Sequence, residues 1–172
     1  DVLVNNAGVC PRDRDVVANL RRALDTNVLG AVAVTEYFKH LLRRSAAPRI
    51  VFVSSSMGSI THAADPHSGH YKAAGGAHVN EYRISKAALN MAMVQIAKTY
   101  AEGGDGLEDV KVFGADPGPN ATNLHGPQRQ QRARDMGLPM PDVGASVVAD
   151  VVKGRHDDKV GRVVGAYGVS EW

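Results

Sequence analysis

An α/β domain on a doubly wound, mostly parallel sheet follows from three features of this 172-residue sequence. Its short strand-like runs are apolar without interruption, as strands buried on both faces are. Long amphipathic stretches separate those runs, enough chain to cross from one parallel strand to the next. The composition is 44% apolar and 22% charged, which suits a globular chain able to fill a core. Its length fits a single domain over residues 1–172.

Val2-Leu3-Val4 is the first strand, stopped at Asn5-Asn6-Ala7-Gly8 by small, turn-forming residues. A long helix is expected over about 15–44, with Val17, Leu20, Leu24, Ala31, Val34, Phe38 and Leu41 on its core face. Asn27 fills the gap between Leu24 and Ala31, so a polar amide on that face must find hydrogen-bond partners. Pro48 ends the helical pattern. Ile50-Val51-Phe52-Val53 is the second strand, running into Ser54-Ser55-Ser56-Met57-Gly58. A Gly-, Ala- and His-rich loop reaches about residue 79, and a second long helix is expected over about 80–101 before Gly103-Gly104. The third strand, 110–115, ends at Asp116-Pro117-Gly118. A polar segment over 123–141 leads to a short helix over 143–152, and residues 162–167 form a last strand.

Several function classes drop out. Twenty basic against eighteen acidic residues leave a net charge of +2, no electrostatic footprint for nucleic acid or an anionic membrane. The single cysteine, Cys10, rules out an internal disulfide framework and a cysteine-based zinc site. No run of eighteen apolar residues suggests a membrane span. The first residues lack the pattern of a secretory signal, so a reducing, cytoplasmic setting is expected.

Ligands of open parallel sheets bind beyond the carboxyl ends of the strands, and the unusual clusters gather there. Tyr82 and Lys86 stand four apart near the start of the second helix, on one face. An ammonium beside a phenol favours the phenolate and would bring its pKa toward neutrality. Such a pair alone is common. Here it is joined by the Ser55 hydroxyl at a strand end, the amide of Asn27, the small turn Asn6-Ala7-Gly8, and Pro117-Gly118-Pro119-Asn120-Ala121-Thr122 after the third strand.

These five motifs, in this order and across nearly the whole chain, resemble the short-chain dehydrogenase/reductase family, and its carbonyl-reductase-like branch in particular. The resemblance implies a Rossmann-like fold, a nicotinamide cofactor, NADP(H) favoured over NAD(H), and a small-molecule carbonyl or alcohol substrate. It implies a tetrad of Asn27, Ser55, Tyr82 and Lys86. Tyr82 would exchange a proton with the substrate oxygen, and Ser55 would orient that oxygen. Lys86 would lower the Tyr82 pKa and bind ribose hydroxyls, and Asn27 would anchor a water. Asn6, Ala7 and Gly8 would line the adenosine-side ribose. The backbone near Asn120, with Pro117, Gly118 and Thr122, would hold the carboxamide. A homodimer or homotetramer is expected, because the helices over 17–42 and 84–100 are apolar on more than one face.

Ser55 is preferred over Ser54 and Ser56 because it stands three before Gly58, as in the family. Tyr71 competes with Tyr82, but Gly75 occupies the position of its lysine. Two departures stand out. Ser55 and Tyr82 are 27 positions apart, and the long loop carries His62, His67, His70 and His78 without ligand-like spacing, so it is expected to shape a substrate pocket rather than hold a metal. No G-x-x-x-G-x-G precedes Asn5. The chain therefore reads as the C-terminal two-thirds of such a domain, N-terminally truncated and inactive alone. Two alternatives remain: a non-catalytic binding or regulatory protein on this fold, or a non-redox epimerase or dehydratase of the wider superfamily.

Overall fold

The computed structural model describes residues 1–69, 79–125 and 127–172. Five strands form one sheet in sequential order: β1 (Val2–Asn5), β2 (Arg49–Val53), β3 (Lys111–Asp116), β4 (Val163–Gly165) and β5 (Gly168–Val169). The first four are parallel, with Val4 opposite Val51 and Val53 opposite Ala115, and β5 returns antiparallel.

Among the described residues the helices are α1 (Val16–Leu24), α2 (Ala31–Leu42), α3 (Ile60–Ala64), α4 (Asn80–Ala101), α5 (Pro127–Asp135) and α6 (Pro141–Val152). Strand alternation divides the core. Ile50, Phe52, Val112 and Val163 point to one face, under Ala31 and Leu42 of α2 and Leu89, Met93 and Tyr100 of α4. Val51, Phe113, Ala115 and Val164 point to the other, where Val151 of α6 covers them. Helices on both faces make the sheet doubly wound, as expected.

Four local expectations need correction. The helix over 15–44 is not uniform: Asp25–Gly30 is a π-helical segment between α1 and α2. Ala31 and Asn27 are buried as expected, but the larger apolar residues are not the buried face, since Val17 is 69% and Phe38 38% exposed. Asn19, Ala23 and Thr35 complete it with Asn27 and Ala31, small and polar residues at every fourth position that allow close approach. The polar stretch before residue 141 contains α5, which carries no apolar stripe to announce it. The loop over 59–79 begins with α3, while its residues 70–78, with His70, Tyr71, Gly75 and His78, lie outside the described residues. The last strand is a two-residue hairpin, not one run: Gly168 has φ +103°, and at Gly165 a Cβ would fall 2.4 Å from the Tyr167 ring. Only glycine permits both.

Candidate active site

The carboxyl ends of β1, β2 and β3 open toward the amino end of α4, which places Tyr82 and Lys86 on its first two turns. Lys86 is buried, 4% exposed, and its Nζ donates to the Val53 carbonyl at the end of β2 (2.8 Å). Burial lowers its pKa from the ordinary 10.5 to about 8, with Asp116 opposing. The ammonium stands 5.6 Å from the centre of the Tyr82 ring.

Tyr82 departs from expectation. Burial pushes its phenol well above the usual range, Cys10 and Asp116 add to the rise, and a hydrogen bond with the Ser55 hydroxyl pulls it partway back. The expected lowering by Lys86 is not found; the one influence that lowers it is Ser55. The ammonium lies at the ring and is turned to a backbone carbonyl, so loss of water around the hydroxyl dominates. Tyr82 therefore stays a protonated phenol at neutral pH.

Asn27 is 1% exposed and fully engaged. Its Oδ1 accepts from the Val9 amide (2.8 Å), and its Nδ2 donates to the Val9 carbonyl (2.9 Å) and to Ser85 Oγ (2.9 Å). Ser85 in turn donates to the Tyr82 carbonyl (2.7 Å). One amide thus ties the loop after β1 to the helix turn bearing Tyr82 and Lys86, and the π segment presents it. Gly8 lies between them: a Cβ there would meet Asn27 Oδ1 at 3.5 Å and Lys86 Nζ at 3.8 Å.

The three serines separate by face. Ser54 is buried and donates to Asn90 of α4. Ser56 is buried too, its amide donating to Asp116 Oδ2 (2.8 Å). Ser55 alone reaches Tyr82, while its Oγ also caps the turn by accepting from the Met57 amide (3.2 Å).

Two loops frame the opening. Asn6 and Ala7 are exposed and line a groove of about 240 Å³ with Val4, Thr26 and Val34. Across from them, Gly118 takes φ +71°, a left-handed conformation that suits glycine. Asn120 is spent on the loop itself: its Nδ2 donates to the Pro117 and Gly118 carbonyls (2.8 and 2.9 Å), and its Oδ1 accepts from Gly144 in the first turn of α6 (3.1 Å). Thr122 is half-buried on the same loop, its hydroxyl accepting from the Leu124 amide (3.4 Å).

A family model described as short chain dehydrogenase matches residues 1–133. The chain belongs to that family. As a short chain dehydrogenase it is 34% identical to the short-chain dehydrogenase/reductase tropE of Talaromyces stipitatus, over 95% of this chain and 63% of that protein. It is 33% identical to the C-signal of Myxococcus xanthus, over 94% of this chain and 86% of that one. Its fold is similar to the NADPH-bound carbonyl reductase from chicken fatty liver, with a TM-score of 0.70 at 22% identity, covering 99% of this chain and 65% of that structure. The chain thus spans less than two thirds of tropE.

Four residues that organise this short chain dehydrogenase escaped sequence reasoning: Ser85, Asn90, Asp116 and Tyr167. Ser85 had a signal, since a serine mid-helix usually bonds a backbone carbonyl a turn away. The others meet only through tertiary packing. A nicotinamide nucleotide fits one half of the site. Among the described residues Lys86 uses one of its three donors, on Val53, which leaves two for a ribose diol. The groove beside Asn6 and Ala7 is open. A pyrophosphate-binding glycine-rich turn is not in this sequence.

Proposed function

We propose that this protein is a nicotinamide-dependent oxidoreductase that interconverts a carbonyl and an alcohol on a small molecule, with Asn27, Ser55, Tyr82 and Lys86 as its working residues. The observation that carries this reading is their convergence: Lys86 on the end of β2, Ser55 bonded to Tyr82, and Asn27 bonded through Ser85 to the same helix turn. The cofactor, when bound, supplies or accepts the hydride.

The chain does the rest. Tyr82, held protonated by burial, donates its proton to the carbonyl oxygen as charge develops there, and Ser55 holds that oxygen. Lys86 binds the ribose through its spare donors and, charged below about pH 8, supports the phenolate left behind. Asn27 keeps the Val9 loop and the Tyr82 turn in register. Asn6, Ala7 and Gly8 would hold the adenosine-side ribose of the cofactor, and the Pro117-Gly118 loop with Asn120 and Thr122 would hold its carboxamide. Protonated Tyr82 with charged Lys86 favours reduction. NADP(H) is preferred over NAD(H) on the family resemblance, and the NADPH-bound carbonyl reductase is a neighbour in fold. The lone, buried Cys10 suits a reducing cytoplasm.

The test is NADPH oxidation with a panel of aldehydes and ketones. Tyr82→Phe is expected to cut turnover by about 10²–10⁴-fold while cofactor binding, read by fluorescence or calorimetry, changes little. Turnover within a few-fold of the parent would remove the assignment. A homodimer or homotetramer is also expected. Val16, Val17, Leu29, Tyr37, Phe38, Ile84 and Met91 leave an apolar surface along α1, α2 and α4, and light scattering at micromolar concentration checks it.

A second reading has one observation of its own. The likeness to the C-signal covers 86% of that relative, against 63% of tropE. A signalling or regulatory role without turnover is the reading it favours, and cofactor binding with no carbonyl reduction across the panel would select it.

A further inference from the structure

Asp116 has no place among the residues expected to react, yet it makes three hydrogen bonds at the sheet's open end, as many as Asn27 or Asn120. It closes β3 and is 3% exposed. Its Oδ2 accepts from the Ser56 amide (2.8 Å) and the Tyr167 hydroxyl (2.9 Å), and its Oδ1 accepts from the Gly118 amide (2.9 Å). One carboxylate therefore ties the turn after Ser55, the glycine loop and the C-terminal hairpin.

All three donors are neutral. A buried carboxylate held only by neutral donors is costly unless an opposite charge lies nearby. Lys86 has the mirror-image problem: a buried ammonium bonded to a neutral carbonyl, that of Val53. Asp116 ends β3, and the Lys86 ammonium, reaching over from α4, bonds the end of the adjoining β2. Val53 pairs with Ala115, the neighbour of Asp116, and the Ser54 amide donates to the Ala115 carbonyl (2.8 Å). Asp116 is the charge that opposes the desolvation of Lys86. Among the described residues, the other titratable groups acting on this pair are Tyr82 of α4, Cys10 of the loop after β1, itself near Arg12, Arg129 and Glu81, and Tyr167 of the hairpin, whose phenol burial and Asp116 hold protonated.

We propose that Asp116 is a positioning residue for this site, whose buried carboxylate locks the Ser55 turn to the Gly118 loop and serves as counter-charge to the Lys86 ammonium. The inference rests on the reading of Tyr82 and Lys86 as the proton-handling pair. A negative charge there stabilises the protonated form of both, so it keeps the site loaded for reduction.

The experiment follows the Lys86 ammonium by ¹⁵N NMR across pH in the full-length protein, beside the pH profile of kcat/KM for carbonyl reduction. In Asp116→Asn the Lys86 midpoint and the alkaline limb are expected to fall together by about one pH unit. Tyr167→Phe removes a donor but keeps the charge, and is expected not to lower the midpoint. An unchanged Lys86 midpoint in Asp116→Asn overturns the proposal, whatever happens to the rate. Absence of NADPH turnover in the parent removes the functional reading instead, while the NMR midpoint still decides the role of Asp116. Should Asp116→Asn fail to fold, the Asp116 carboxyl ¹³C signal of the parent is expected to inflect at the Lys86 midpoint, and a flat trace overturns the proposal.

Discussion

The two sides of the site are held in opposite ways. Around the first turns of α4, polar groups are buried and their partners are protein: Asn27 with Val9 and Ser85, Lys86 with Val53, Ser54 with Asn90, Asp116 with two amides and a phenol. Along the rim of β1, Asn6 and Ala7 line an open groove. Proton handling demands fixed geometry before any ligand arrives. Cofactor contact does not, because the ligand supplies its own half of the interface.

Substitutions on the interior side should therefore cost more than the contact they remove. Lys86→Ala is the largest expected effect: turnover down by at least about 10²-fold, with cofactor affinity weakened as well, since one side chain serves phenol and ribose. Steady-state kinetics with a binding titration separates this from Tyr82→Phe, where affinity survives. Asn27→Ala comes next. It orphans the buried Val9 amide and carbonyl and one partner of Ser85, at about 1–3 kcal/mol for each unsatisfied group, and urea unfolding should show several kcal/mol lost.

The smallest expected effect is a dependence on pH. The folded chain releases the Lys86 proton near 8 and the unfolded chain near 10.5. Between those values the unfolded state binds more protons, so Lys86 makes stability rise with pH, by at most about 1.4 kcal/mol per pH unit. Tyr82 acts oppositely, but only above its ordinary value of 10, where the unfolded phenol ionises. Urea midpoints at pH 8 and 9.5 should thus diverge in the parent, and Lys86→Met should narrow the gap.

Much of the interior side was legible in sequence because it is written in local spacing. Tyr82 and Lys86 share a helix face, Ser55 ends a strand, and α4 spans the 80–101 expected for it. Asn27 announced itself as a polar residue in an apolar series. What stayed hidden depends on neighbours distant in sequence. Asp116 looked like a turn residue before Pro117, and two of its three donors come from residues 60 and 51 positions away. The direction of the Tyr82 shift could not be read either, because helical spacing gives proximity to Lys86 but not the burial of the hydroxyl. The buried face of α1 and α2 was misjudged for a related reason. Hydrophobicity marks what leaves water, and here part of the apolar series faces out while alanines and amides allow close packing.

The π segment sets the timing of that helix. Residues four apart advance about 40° per step around an ordinary α-helix, so a series at every fourth position would spiral off its face. One wide turn at Asp25–Gly30 subtracts that accumulated rotation and returns Ala31 and Thr35 beneath Ala23 and Asn27. Were the same six residues wound as regular α-helix, everything beyond them would swing by about 100°, presenting Val34 and Phe38 to the sheet in place of Thr35. The wide turn thus decides which residues the second half of this helix lays on the sheet, in a segment that also gives the site Asn27 and its groove Thr26.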